Sequence, residues 1–378
     1  MQDLIGKVQE AYASNENQKK LNNREQFKII IGLGRTVLSK VIGFSMNDYF
    51  IDSKTCLESQ LKWKLLWHNE IKDDTFLDLS CGIDYSTALE PALFGQEPVF
   101  SSEKDPTYGH ALLNDESDLN RLDVPDFYKS GFMPEAHRMY REIGELAKGN
   151  LNICFPGWAR GPWSIATIIR GFQNLFLDTI DNPEFVHRLM AFIVTCRKSW
   201  EEERCKFLGI SPHNKDYRWK YVVYRTLTSS DLFEDEVDGN LFPPKVFEEF
   251  ILPFVRDLSE YYGGISYYHS CGNMTPFIPC IKQSGVQDLF QVSPWSDYER
   301  MVDELPEGIT IQKALHPAND VLMASEEKMR DVLQKIISKA KGRKVEIWAD
   351  ALYEGSWDTL EKVKQLVRIF REVVGQKI

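Results

Sequence analysis

The stretch Ile265-Ser266-Tyr267-Tyr268-His269-Ser270-Cys271-Gly272-Asn273-Met274-Thr275-Pro276-Phe277-Ile278-Pro279-Cys280 decides how the rest of the chain is read. Residues 265–268 have the composition of the end of a buried strand, introduced by Gly263-Gly264. Side chains two residues apart on an extended strand point to the same side. His269 and Cys271 therefore project together from the strand's carboxyl end. Gly272 and Asn273 break the strand, and Thr275 is a candidate cap for a helix through Ile281. An imidazole nitrogen with a thiolate sulfur is a donor pair suited to zinc. The same tripeptide also fits a buried cysteine beside a hydrogen-bonded histidine, and the residues alone leave both readings open.

Outward from this stretch, strands and helices alternate. Strand-like runs fall at 27–32, 75–80, 150–155, 221–226, 232–233, 288–293, 310–315 and 343–348. Helical spacing fills 57–67, 135–147, 184–208, 326–339 and 359–374, with an amphipathic start at 3–12. From Phe27 onward the alternation amounts to about eight units, the pattern of a (β/α)8 TIM barrel, with an irregular and partly helical N-terminal extension. Gly32-Leu33-Gly34-Arg35 lacks the third glycine and the downstream acid of a dinucleotide fingerprint.

The chain of 378 residues fits one large α/β barrel, and its 43% hydrophobic content supplies the core. A net charge of −11 argues against a general nucleic-acid or anionic-membrane binder. The seven cysteines are scattered and form no C-x-x-C pair, which suits a reducing cytoplasm. Residues 1–23 are polar and charged, so no secretory signal is expected, and no apolar run reaches the ~18 residues of a membrane helix. A cytoplasmic protein acting on a small-molecule substrate is the expectation.

His269 to Asn273, H-x-C-G-N leading into a helix, resembles the uroporphyrinogen decarboxylase superfamily, most of all its branch of corrinoid-dependent methyltransferases. Other stretches carry the likeness. Phe94-Gly95 stands before an extended segment, as an FG pair does in the family. Gly161-Pro162 through Ala166 is similar to the methyltransferase branch's G-P-x-x-x-A element, and Arg170-Gly171 and Asp178 to Glu184 follow in the same order. Physically, that element is a tight turn into a helix whose N-terminus is available to an anion. Residues 240–253, ending F-E-E-F-I-L-P, match a further family segment. The likeness is strong from about Gly131 onward and weaker before it.

The resemblance implies a single barrel domain over residues 1–378. It also implies a methyltransferase that moves a methyl group between a small methylated substrate or thiol and a corrinoid carried by a partner protein, assisted by zinc. In that branch the metal is held by the H-x-C pair and a cysteine ending the last strand. Here Ala349-Asp350 stands in that place, so the expected ligands are His269, Cys271 and Asp350, with an acid from Asp235 and Glu236 or a water as the alternative to Asp350, and a barrel without a catalytic metal as the opposing reading. A glutamate near the metal in related enzymes aligns with about Ser293, and acids facing the barrel mouth align with Asp235 and Glu236, the candidate catalytic acids. Trp158, Trp163, Tyr268 and Trp295 are candidates either for lining an apolar or cationic methyl-donor pocket or for ordinary packing. Porphyrinogen decarboxylases open with an arginine-rich segment that grips propionates. This chain offers Arg24 and Arg35 in a different context, so a porphyrinogen is not the expected substrate. A carboxy-lyase acting on a smaller substrate, and a non-catalytic barrel binding a corrinoid or tetrapyrrole, are the alternatives.

Overall fold

The computed structural model describes residues 1–22, 26–102, 104–211, 220–221, 225–226, 233–236, 239–352 and 357–375. Among them are eight parallel strands: β1 Phe27–Leu33, β2 Ser80–Gly82, β3 Asn152–Cys154, β4 Phe233–Asp235, β5 Ile265–His269, β6 Val286–Val292, β7 Thr310–Ala314 and β8 Val345–Leu352. Six form one hydrogen-bonded sheet in the order β1-β8-β7-β6-β5-β4, and β2 pairs with β3. The last strand lies beside the first, the arrangement of a (β/α)8 barrel. An N-terminal helix, α1 (Gln2–Asn22), buries Ile5, Val8 and Ala11 against this body. None of the described helices is long and apolar enough to cross a membrane.

Strand β1 shows why its sequence makes a central strand. Its β-branched run Ile29-Ile30-Ile31 is buried on both faces. Ile29 and Ile31 join the main core outside the sheet, while Ile30 packs inside with Ala314 and Trp348. Lower in the barrel the interior is polar. Tyr267 donates to Gln312 at 2.5 Å, and the Gln312 amide donates to Glu346 at 2.7 Å.

The structure corrects several expected boundaries. The second strand is not at 75–80 but at Ser80–Gly82. Thr75 gives both its N–H and its hydroxyl to the carboxylate of Asp73, an Asx turn that bends the chain there. The acids before it serve the edge of β1 instead: Ile31 N–H donates to Asp73 at 2.7 Å and Ile29 N–H to Asp74 at 2.8 Å. Arg371, from the last helix of the chain, grips Asp74 with two nitrogens, at 2.7 and 3.0 Å. Within 221–226 the described residues make an antiparallel ribbon, Lys220–Tyr221 with Arg225–Thr226, and not a barrel strand. Thr275 does not cap its own helix; Asn273 accepts the Thr275 N–H, and the Thr275 hydroxyl accepts from Asp297 N–H. Strand β8 runs on to Leu352, so Asp350 lies within the strand rather than after it. Its pairing with β1 continues through Ile31 with Ala349 and Leu33 with Leu352. Arg24 and Leu232 lie outside the described residues.

The helices that frame the site are α2 (Pro162–Arg170), α3 (Pro183–Leu208), α4 (Tyr298–Glu304) and α5 (Trp357–Val374). Lys313, on β7, is buried between the sheet and α4. Its Nζ donates to the Ser293 carbonyl at 2.7 Å and sits 6.0 Å from the Tyr298 ring. Burial pushes this ammonium down to about 8, with the charge of Asp320 acting in the opposite direction. A lysine in the unfolded chain titrates near about 10.4. Between those values the unfolded chain holds a proton that the folded chain has lost, so this group's contribution to stability rises with pH across the window, and its burial penalty is complete below it. Relative to Lys313→Met, the wild type is expected to gain on the order of 2–3 kcal/mol between about pH 8 and about pH 10.5 in denaturant unfolding. Parallel stability curves for the two proteins would show that the ammonium is not desolvated.

Candidate functional site

His269 is the last residue of β5, and Cys271 stands two residues on, at the carboxyl face where barrel enzymes assemble their sites. The thiol Sγ and the imidazole Nε2 are 3.6 Å apart. A tetrahedral zinc with its nitrogen at about 2.0–2.1 Å and its sulfur at about 2.3 Å would hold those atoms about 3.5 Å apart. The pair thus fits two corners of a zinc site as it stands. Cys271 is exposed, whereas the other six cysteines are buried. The His269 ring meets the edge of Trp348 at 5.9 Å, which fixes its orientation from below.

The backbone carrying this pair is tied down on both sides. Ser270 N–H donates to Gln291 at 3.2 Å, and the Ser270 hydroxyl accepts from the Asn240 amide at 3.1 Å. The Gly272 carbonyl accepts from the Ser293 hydroxyl at 2.6 Å and from Ser296 at 3.4 Å. A Cβ on Gly272 would fall 1.7 Å from the Asn240 side-chain oxygen, so a larger residue there would displace Asn240 from its bond to Ser270. Met274 N–H closes the loop on Ser296 at 2.9 Å.

The acids behave differently from one another. Asp235 ends β4, and the ladder pairs it with His269. Glu236 is fully buried and faces α2: Trp163 N–H donates to one oxygen at 3.1 Å and the Ser164 hydroxyl to the other at 3.0 Å. The helix N-terminus that the Gly161-Pro162 turn offers to an anion is therefore occupied by the chain's own carboxylate. Both oxygens of Glu236 thus accept from the start of α2. Asp350 lies over β1, where a Cβ on Gly32 would meet its Oδ1 at 2.6 Å and the Trp348 indole nitrogen at 3.3 Å. It is not brought together with His269 and Cys271. Among the described residues no group of three His, Cys, Asp or Glu is placed to hold one metal ion. Ser293 braces Gly272 through its hydroxyl.

Of the four aromatics, Trp158, Trp163 and Tyr268 are buried in the core, and Trp295 is exposed against His316 at 5.2 Å. Tyr268 stacks on Phe290 outside the sheet, while Tyr267 takes the inward position. Arg170 and Asp178 form a buried ion pair, 2.7 Å from Nε to Oδ2, and Gly171 follows at a φ of +84°. Arg35, just past β1, is enclosed: Asp84 takes its Nε and Nη2 at 2.9 and 2.6 Å, and Asp105 takes Nη1 at 3.1 Å. Tyr49 adds a 2.8 Å bond to Asp84, and burial pushes its phenol well up.

The reading from sequence did not anticipate Glu90, which is buried and accepts from the backbone of Ala159 and Arg160 at 2.8 and 3.2 Å. Its signal is an acid inside the apolar run Leu89-Glu90-Pro91-Ala92-Leu93, a position that requires a buried partner. Lys313 carries no comparable signal, because its role exists only once β6 and β7 lie side by side.

The family model of uroporphyrinogen decarboxylase (URO-D) matches residues 81–199 and 231–349. No curated protein matches the chain in sequence. Among solved structures, a methyltransferase from Methanosarcina mazei is similar, with a TM-score of 0.65 and 13% identity over 92% of this chain and 94% of that one. At that identity the likeness is one of fold. The family match covers more than half of the chain and includes Glu90, Glu236, His269, Cys271 and Ser293, and on that evidence the chain belongs to the uroporphyrinogen decarboxylase family.

Proposed function

We propose that this protein is a methyltransferase that moves a methyl group between a small methylated substrate or thiol and a corrinoid carried by a partner protein, with zinc held by His269 and Cys271. The observation that carries the reading is the 3.6 Å imidazole–thiol pair on a clamped loop at the barrel's carboxyl face. Its likeness in fold to a methyltransferase supports the same reading. A zinc bound there would act as a Lewis acid on the methyl donor's heteroatom or lower the pKa of an acceptor thiol. Two protein ligands leave open positions for that heteroatom or thiol and for water.

The chain's own residues supply the rest. Trp348 orients the imidazole, so that Nε2 faces the thiol. Cys271 is exposed, which lets a macromolecular methyl carrier approach it. Asp235, the neighbour of His269 in the ladder, is the acid assigned to protonate the leaving heteroatom. Glu236 keeps the β3-to-α2 turn in place and takes no part in proton transfer. Arg35 weighs against decarboxylation of a polycarboxylate, because its guanidinium already serves two carboxylates.

Freshly purified protein is expected to carry stoichiometric zinc and to demethylate methylcobalamin in the presence of a thiol. Cys271→Ala is expected to lose both while keeping its circular dichroism spectrum. Retention of metal and turnover in that variant sinks the assignment. With uroporphyrinogen as substrate no coproporphyrinogen is expected; its formation at an enzymatic rate would instead favour the carboxy-lyase reading.

A further inference from the structure

We infer that Ser293, immobilised by Lys313, is a positioning residue that keeps Cys271 in register with His269. The inference rests on the proposed role of this pair, but it is tested without relying on that role. Cys271 is exposed, so its own side-chain packing does not fix the sulfur. Its position depends on the backbone on either side. On the strand side, Ser270 is fully buried and bonded to Gln291 and Asn240. On the other side, the Ser293 hydroxyl makes the shorter of the two side-chain bonds to the Gly272 carbonyl, 2.6 Å against 3.4 Å from Ser296.

Ser293 is itself held from outside the barrel. It is 1% exposed, its carbonyl accepts from the buried Lys313 ammonium at 2.7 Å, and its hydroxyl accepts from Trp295 N–H at 3.3 Å. A hydroxyl has one proton to donate, and here it goes to Gly272. The side chain thereby acts on the loop that carries Cys271. Without the hydroxyl, the Gly272 carbonyl loses its closest donor, and Gly272, with no side chain, offers little resistance to a change in backbone.

The test uses metal-free protein first. Cys271 is the one exposed cysteine, so iodoacetamide labels it selectively, and peptide mass spectrometry reads the rate. The wild type and His269→Ala are expected to differ in that rate. Ser293→Ala is expected to move from the wild-type rate to that of His269→Ala, and Ser293→Thr, which keeps the hydroxyl, to restore it. Ser293→Cys, a weaker donor of similar size, reads the same effect should the alanine variant not fold. Cobalt(II) titration supplies a second readout, in which Ser293→Ala is expected to lose about 10- to 100-fold in affinity and to weaken the thiolate–cobalt band. A wild-type protein that binds no metal removes the zinc reading and leaves the alkylation comparison to decide this one. Equal alkylation rates in wild type and Ser293→Ala, or in wild type and His269→Ala, overturn it.

Discussion

The backbone at Gly272 is where the hydrogen bonds of three neighbouring loops converge, and a side chain there would displace Asn240. The loop after β4 presses Asn240 against it, and the loop after β6 brings two serine hydroxyls to its carbonyl. Three successive barrel strands therefore meet at one residue. The cost is a cluster of buried polar groups, each of which needs a partner. Ser270, Gln291, Ser293, Ser296 and Lys313 meet that demand largely by bonding one another and the backbone. The result is an exposed thiol on a backbone that cannot easily move. The zinc site proposed above would need that combination: access for the reacting partner, and rigidity of the atoms that would hold the metal.

An acidic chain with a catalytic mouth raises the question of where its carboxylates go. Many are spent on architecture. Glu236 holds the start of α2, and Glu90 holds the turn before it at Ala159 and Arg160. Arg197, from α3, takes the Trp158 carbonyl at 2.9 Å and also reaches that of Arg160. The Gly-Pro turn is thus fixed by buried charges from three directions. Asp73 and Asp74 offer side-chain oxygens to N–H groups on the edge of β1, away from its neighbour β8. Each of these acids meets backbone N–H groups that would otherwise be buried without a partner, a cost of about 1–3 kcal/mol apiece.

What could be read from sequence was what depends on local geometry. The i, i+2 relation of His269 and Cys271 needs only an extended backbone, and the barrel follows from alternation along the chain. What could not be read depends on pairing. Asp350 was placed after its strand because the apolar run ends near Trp348, yet the ladder with β1 carries β8 to Leu352. Tyr267 and Tyr268 are equivalent as letters, and the register of β5 in the sheet turns Tyr267 inward, where Gln312 accepts its hydroxyl. Glu236 and Asp235 are adjacent in sequence, but consecutive residues at a strand end diverge, and Glu236 turns to the helix.

The same reasoning bears on which substrates the mouth can accept. Strands β1 and β5 are four steps apart in the sheet order, so Arg35 and the His269–Cys271 pair stand on opposite sides of the barrel. On the β1 side one guanidinium is shared by Asp84 and Asp105, which leaves that cluster with an excess of negative charge. A polycarboxylate entering there would lose hydration and meet carboxylates rather than a free cationic fork. A neutral or cationic methyl donor pays no such penalty. In the reaction proposed above, the charge at the β1 edge would thus disfavour an anionic substrate, while the β5 edge offers an imidazole and a thiol.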